Sequence, residues 1–281
     1  MRILIAGCGD VGNVLAELLL QRGHIVYGLK RDVSSLPEGV EPIQADLTKP
    51  STLENLPADI DGLVFMPTPG SRDQAAYEAV FINGLKNLWA AMYQEPGRTL
   101  LVSSTAVFGQ SDGSLVNEAT SPEPARFNGE VLLEMERLGH GYTEHLVVAR
   151  ISGIYGPGRE GLIHLAGSEG LEVQQTPPFF TNRIHRDDAA AALLHLLTIE
   201  DPQDLYIVSD DLPAARYEVL SWLAAKLGKA APYGRVDENA RRGKRVENLL
   251  LRKSGFKLMY PDYRAGYTSV LEQKNRNEIS R

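Results

Sequence analysis

Apolar and polar positions alternate in blocks along the first half of the chain. Residues 2–6 (Arg-Ile-Leu-Ile-Ala) form a short apolar run that stops at Gly7, the pattern of a buried strand. Residues 13–21 carry Leu and Ala at helical spacing with Glu and Gln between them, and Gly23 closes that helix. A second strand is expected over 24–29, a short third over 42–45, and a fourth over 62–66, bounded by Pro67 and Pro69. Residues 75–93 read as one long amphipathic helix, 99–103 as a strand, 129–138 as a helix and 145–150 as a strand. Strands alternating with helices indicate βαβ units and a parallel sheet covered on both faces.

The second half is less regular. Residues 156–158 and 175–179 read as loops, with Pro177-Pro178 as a breaker. Residues 187–198 form an Ala/Leu-rich helix, 205–208 a strand, and 216–227 a helix ended by Gly228. The fold class expected is α/β: a Rossmann-type doubly wound parallel sheet with a smaller C-terminal lobe. Residues 1–152 plus 184–208 are assigned to the sheet domain, and 153–183 plus 209–281 to the smaller lobe. The basic stretch of Arg241, Arg242, Lys244, Arg245, Arg252 and Lys253 reads as a solvated helix face.

Composition narrows the function. Of 281 residues, 43% are apolar and 23% charged, which is ordinary globular usage and excludes a disordered chain. The balance of 29 basic to 36 acidic residues gives a net charge of −7, so no nucleic-acid partner is expected. A single cysteine, Cys8, excludes an internal disulfide and cysteine-rich metal or iron–sulfur sites, and no metal is expected. No run approaches the roughly 18 apolar residues of a membrane span, so a cytoplasmic protein without a membrane partner is the expectation.

Gly7-Cys8-Gly9-Asp10-Val11-Gly12 is a G-x-G-x-x-G that follows a strand and opens a helix. The first glycine permits a tight turn, the second lets the backbone approach a pyrophosphate, and the third allows close helix–strand packing. The helix N-terminus offers free N–H groups and partial positive charge to the anion. NAD or NADP is the expected cofactor. Lys30 and Arg31, at the end of the second strand, favour the 2′-phosphate of NADP, while the following Asp32 would suit the ribose of NAD. Cys8 is expected as a small side chain under the loop, its labelling slowed by bound dinucleotide; a lowered thiol pKa at the helix N-terminus would give it a redox role.

Further segments stand in order along the chain: Ala45-Asp46-Leu47; Ser103-Ser104-Thr105 with Gly109; Tyr155-Gly156-Pro157-Gly158-Arg159; Ile184-His185-Arg186-Asp187-Asp188; and Lys244-Arg245-Val246-Glu247-Asn248. With the glycine loop they make the chain resemble the NAD-dependent epimerase/dehydratase family, the extended and atypical branches of the short-chain dehydrogenase/reductases. The resemblance implies that Asp46 and Leu47 flank the adenine, and that Met66 and Pro67 line the ribose and pyrophosphate. It puts Ser104 at the position of the catalytic Ser or Thr, whose hydroxyl donates to the substrate's reacting oxygen. Tyr155 and Arg159 would belong to the substrate cleft, Arg159 through its planar fork. His185 with Asp187 and Asp188 reads as a capping and domain-joining cluster. A small-molecule substrate is implied, with a homodimer formed through the helices around 75–93 and 129–138.

One part of the family pattern is missing. The acid/base Tyr, with a Lys four residues later on the same helical face, should fall near 127–136. There Phe127 or Asn128 takes the Tyr position and Val131 or Leu132 the Lys position. None of the eleven tyrosines is followed by Lys four residues on, and no Lys occurs between Lys86 and Lys226. Three readings follow: an epimerase/dehydratase-like oxidoreductase of a small hydroxyl or carbonyl compound, nucleotide sugars included, with Glu130, Glu134 or Tyr142 as relocated acid/base; a reductase in which hydride transfer dominates and water, or the substrate itself, supplies the proton; or a non-catalytic NAD(P)-binding sensor or regulatory protein.

Overall fold

The computed structural model describes residues Met1–Ile279. The chain divides into two compact units, residues 1–109, 122–150 and 190–206 in the first and 110–121, 151–189 and 207–281 in the second. Residues 110–121, 151–152, 184–189 and 207–208, which the sequence pattern assigns to the sheet domain, fall in the second unit.

The first unit is built on β1 (Arg2–Ala6), α1 (Asp10–Gln21), β2 (Ile25–Lys30), β3 (Glu41–Gln44) and β4 (Gly62–Phe65). These are followed by α2 (Gln74–Tyr77), α3 (Gly84–Ala91) and β5 (Arg98–Ser104). In chain order come β6 (Asp112–Val116), α4 (Phe127–Tyr142), β7 (Leu146–Ile151), β8 (Gly153–Tyr155), α5 (Gly161–Ala166), β9 (Glu172–Thr176), β10 (Phe180–Thr181) and β11 (Arg183–His185). The remainder comprises α6 (Arg186–Thr198), β12 (Leu205–Val208), β13 (Ala214–Ala215), α7 (Arg216–Lys226), β14 (Tyr233–Val236), β15 (Gly243–Val246), α8 (Leu249–Lys253) and α9 (Tyr263–Ile279).

The main sheet has seven strands in the order β12-β7-β5-β4-β1-β2-β3, and β1 to β5 pair in parallel. This is a doubly wound order, and it reverses direction between β1 and β4. Ile3, Leu4, Ile5, Leu63, Val64 and Phe65 are wholly buried, as continuous apolar strands covered on both faces require. The helix expected over 75–93 is interrupted. Asp73 caps α2 by accepting from the Ala76 amide at 2.9 Å, and a π-helical turn at Glu78–Asn83 joins α2 to α3. Apolar periodicity does not reveal one widened turn, which shifts register without changing which face is apolar.

The second unit contains strands that the sequence pattern missed. β13, β10, β15 and β6 form a four-stranded sheet, antiparallel only at β13–β10. Two parallel pairs, β8–β11 and β9–β14, stand beside it as separate ladders. Its core joins Tyr155, Val219, Leu223, Tyr263 and Tyr267. The basic stretch is not a helix face. Arg241–Arg245 run through a turn into β15, and the Arg245 Nε donates to the Gly113 carbonyl at 2.9 Å. Only Arg252 and Lys253 lie on a helix, α8, where Arg252 pairs with Asp211 at 2.5 Å.

Candidate functional site

The glycine loop sits where the strand order reverses. Gly7 has φ +93°, and a Cβ there would lie 2.5 Å from Pro67 Cα, so the loop after β1 crosses the loop after β4 at backbone contact. A Cβ on Gly9 would meet nothing closer than the Gly7 carbonyl at 3.8 Å, so this face of the loop is open for a ligand. Gly9 is the N-cap of α1 and offers no capping side chain, which leaves first-turn amides to an incoming anion. Gly12 differs from expectation. Its Cβ would make ordinary contacts of 3.5 Å with Ile5 and Cys8, so the close packing expected of the third glycine is not required.

A cavity of about 330 Å³ runs from Gly7, Gly9 and Pro67 to Lys30, Asp46 and Leu47. Arg31, Asp32, Thr48, Thr68, Gly70 and Val80 also line it. Of the expected cofactor residues, Val11 and Gly12 are buried beneath the loop, Asp10 is exposed and Met66 half-buried; none of these four lines the cavity. Cys8 is fully buried, its thiol donating to Asn13 Oδ1 at 3.6 Å. Burial pushes that thiol up to about 11, against a smaller lowering by the Lys30 charge, so the helix N-terminus does not activate it.

The far end of this cavity is held by short polar links. Lys30 Nζ donates to Ser35 Oγ at 2.8 Å, and Asp32 accepts from the Ser34 amide at 3.0 Å as the cap of the turn Val33–Ser35. The Ser34 hydrogen bonds hold the Asp32 carboxyl below its usual range. Asp46 accepts from the amide and hydroxyl of Thr48 at 3.0 and 2.8 Å through Oδ1. Burial opposes ionisation of Asp46, but those bonds and the Lys49 and Arg31 charges bring it below the usual carboxylate range. Asn87 on α3 donates to the Leu47 carbonyl at 2.9 Å and pins the segment. The Asp-x-Thr spacing of 46–48 is an Asx-type turn signal that could have found Thr48; nothing local marks Asn87.

Ser104 ends β5, and its Oγ accepts from the Ala106 amide at 3.1 Å, capping the turn Thr105–Val107. A Cβ on Gly129 would lie 2.4 Å from the Ala106 carbonyl oxygen, so the first turn of α4 packs directly on that turn. Phe127 meets Tyr77 edge to face at 5.4 Å, Asn128 is half-buried, and Val131 and Leu132 are buried core. Of the relocated acid/base candidates, Tyr142 is not brought to Ser104. Glu130 is exposed in the first turn of α4, and Glu134 pairs with Arg137 at 2.6 Å. Tyr142 stacks on Trp89 at the other end of α4, about 20 Å along the helix axis from Phe127. Three residues past it, the His145 carbonyl accepts from Thr99 at the start of β5, about 17 Å along the strand from Ser104.

Behind Ser104 lies a buried polar network that sequence reading did not find. Ser103 donates to Glu136 Oε1 at 2.5 Å, and Arg150 donates from Nε and Nη2 to the two Glu136 oxygens at 3.1 and 2.7 Å. The guanidinium also lies 5.0 Å from the Phe108 ring centroid. β5, α4 and β7 are thereby tied together next to Ser104.

In the second unit, Tyr155 and Arg159 both line a separate cavity of about 320 Å³. Tyr155 is buried, packs its ring 4.3 Å from Tyr267, and has its phenol pushed above the ordinary range, chiefly by burial. His185 is fully buried, and its Nδ1 accepts from the Asp187 amide at 3.2 Å. Asp188 accepts from the Met259 and Tyr260 amides, each at 2.8 Å, and so clamps the chain before α9.

The profile of the NAD dependent epimerase/dehydratase family matches residues 3–207. A solved NAD-dependent epimerase/dehydratase from Methylobacillus flagellatus is similar at 37% identity, covering 98% of each chain with a TM-score of 0.84. MoeE5 in complex with UDP-glucose and NAD shares the fold at 23% identity, 99% coverage of each chain and a TM-score of 0.80. A curated relative, the 3-diazoavenalumate denitrifying reductase of a Streptomyces species, is 28% identical over 256 residues, 83% of each chain. With its doubly wound sheet and its glycine loop at the point of reversal, this chain belongs to the NAD dependent epimerase/dehydratase family.

Proposed function

We propose that this protein is an NADP-dependent oxidoreductase that reduces a small carbonyl-bearing or similarly electrophilic substrate. The observation that carries the reading is the glycine loop: an open face at Gly9, uncapped amides at the start of α1, and a cavity leading to Lys30 and Arg31. Gly7, Gly9 and Pro67 would hold the pyrophosphate and Asp46 the adenine amino group, through the Oδ2 that pairs with Lys49 only loosely, at 3.9 Å. Lys30 and Arg31, two cations lining the far end of the cavity, would take the 2′-phosphate. When bound, the nicotinamide supplies hydride.

The residues of the chain itself favour reduction over epimerisation. Epimerisation takes a proton from a hydroxyl and returns it, which needs a titratable group beside the reacting oxygen. Phe127, Asn128, Val131 and Leu132 provide none. Reduction needs only a polarised substrate and one proton, which water delivers. Ser104 Oγ accepts from Ala106, so its own proton is available to the substrate oxygen. The curated Streptomyces relative is a reductase by name, in keeping with this reading. Tyr155 and Arg159 are assigned to substrate, and the homodimer to the α3 and α4 faces, checked by light scattering.

The test is a titration with NAD, NADH, NADP and NADPH followed by melting temperature, then a carbonyl and nucleotide-sugar panel read at 340 nm. A cofactor at about 100 times its dissociation constant stabilises by about 2.7 kcal/mol. NADPH should give the largest shift, and Ser104→Ala should lower turnover about 100-fold. If none of the four moves the melting point, the reading fails. Binding without turnover on any substrate would leave a dinucleotide sensor.

A further inference from the structure

The cavity of the second unit contains an unusual charge. Arg183, on β11, is 3% exposed and lines this space with Ile154, Tyr155, Leu162, Thr181 and Tyr267. Its Nη2 donates to the Thr181 hydroxyl, its Cζ lies 5.4 Å from the Tyr263 ring centroid, and its Nη1 has no hydrogen-bond partner among the described residues. A buried guanidinium without a counter-ion is costly, and a cation–π contact offsets only part of that cost. The acidic group whose charge Arg183 influences is Asp210, 1% exposed, whose Oδ2 also lacks a partner among the described residues. Burial raises its carboxyl to about 8 against the opposing Arg183 charge, so it resists carrying the balancing negative charge.

We propose that this cavity binds a small carboxylic acid with a flat apolar body, its carboxylate seated on the Arg183 guanidinium. This rests on the reading of the chain as a protein of small-molecule ligands and names the class that the second unit takes. The planar fork of arginine matches two carboxylate oxygens. One carboxylate charge balances one buried cation, whereas a phosphate monoester carries nearly two. Ile154, Leu162 and the rings of Tyr155 and Tyr267 supply apolar walls for a flat body. At about 320 Å³ the cavity lies at the small end of ligand sites. Arg216, exposed on the same cavity, adds positive potential for an approaching acid.

The experiment titrates the full chain calorimetrically, without dinucleotide, against trans-cinnamate, its neutral amide, and phenyl phosphate. Cinnamate should bind at least tenfold tighter than the amide and tighter than phenyl phosphate. Arg183→Met should remove that preference for the acid. Arg183→Lys, which keeps the charge and loses the fork, should weaken cinnamate several-fold and serves if the Met variant does not fold. Absence of cinnamate binding, equal affinity for acid and amide, or acid binding unmoved by substitution of Arg183 overturns the proposal. Tighter phenyl phosphate binding overturns the carboxylate in favour of a phosphate ligand. A parallel NADPH titration of the native chain separates the two readings: acid binding without NADPH binding leaves the cavity standing and removes the reductase.

Discussion

Arg150 on β7 and Glu136 on α4 form a two-pronged ion pair, 3.1 and 2.7 Å, with both side chains about 95% buried. Glu136 also accepts from Ser103, the residue before the proposed catalytic serine. Removing one partner strands a buried charge, so Glu136→Leu should destabilise by about 3 kcal/mol or more. Adding Arg150→Met should recover much of that loss, because the second charge is then gone. Chemical denaturation of the two single variants and the double variant measures the coupling; simple additivity would show that the pair is not the relevant contact.

Gly7 and Gly12 should respond oppositely to alanine. Gly7→Ala combines φ +93° with a backbone clash at Pro67, and should cost about 3 kcal/mol or more and abolish dinucleotide binding. Gly12→Ala, in the first turn of α1, meets only ordinary contacts with Ile5, Gly7 and Cys8 and should be neutral or stabilise by up to about 1 kcal/mol. Melting curves with and without NADPH decide both.

Cys8 should be inert. With its thiol near 11 and its side chain buried, about one thiol in a thousand is ionised at pH 8. Iodoacetamide should label the native protein only as fast as it unfolds. Rapid labelling of the folded chain at pH 8 would contradict the burial.

Asp210 gives a pH dependence of defined sign. Its folded pKa of about 8 lies above the unfolded value of about 4, so the folded state holds a proton that the unfolded state has lost. Its contribution to stability is full below pH 4 and is lost as pH rises to about 8. Asp210→Asn removes that trend: its melting temperature should gain on the native protein between pH 5 and 9. Parallel curves across this range would mean that Asp210 ionises freely.

Arg31→Ala should weaken NADPH about tenfold or more while changing NADH little, because only NADPH carries the 2′-phosphate. Fluorescence titration of both cofactors tests this, and equal losses would assign Arg31 to some other part of the dinucleotide.

The glycine loop and the strands around it were legible in the sequence because each is a local feature. A buried strand is a short apolar run, and a phosphate loop is a fixed spacing of glycines between that run and a helix. Of the cavity-lining residues, Lys30 and Arg31 follow from their place at the end of the second strand, while Asp46 and Leu47 were expected only through the family resemblance. Short strands such as β10, β13 and β15 were missed because two to four residues carry no period to read. The π-turn at Glu78–Asn83 was missed because it preserves the apolar face.

The choice among acid/base candidates required three dimensions. Glu130, Glu134 and Tyr142 share one helix with the missing Tyr and Lys positions, yet Tyr142 lies at the wrong end of α4, Glu134 pairs with Arg137 and Glu130 is exposed. The same holds for the buried charges. Ser103, Glu136 and Arg150 come from three elements, and Arg183 and Asp210 from two separate segments of the second unit. By itself the sequence determined the layered α/β fold and the dinucleotide loop, because hydrophobic period and glycine spacing act over a few residues. Only the tertiary structure decided which charges are buried and which of them lack a counter-charge, because desolvation depends on neighbours that the chain brings together from far apart.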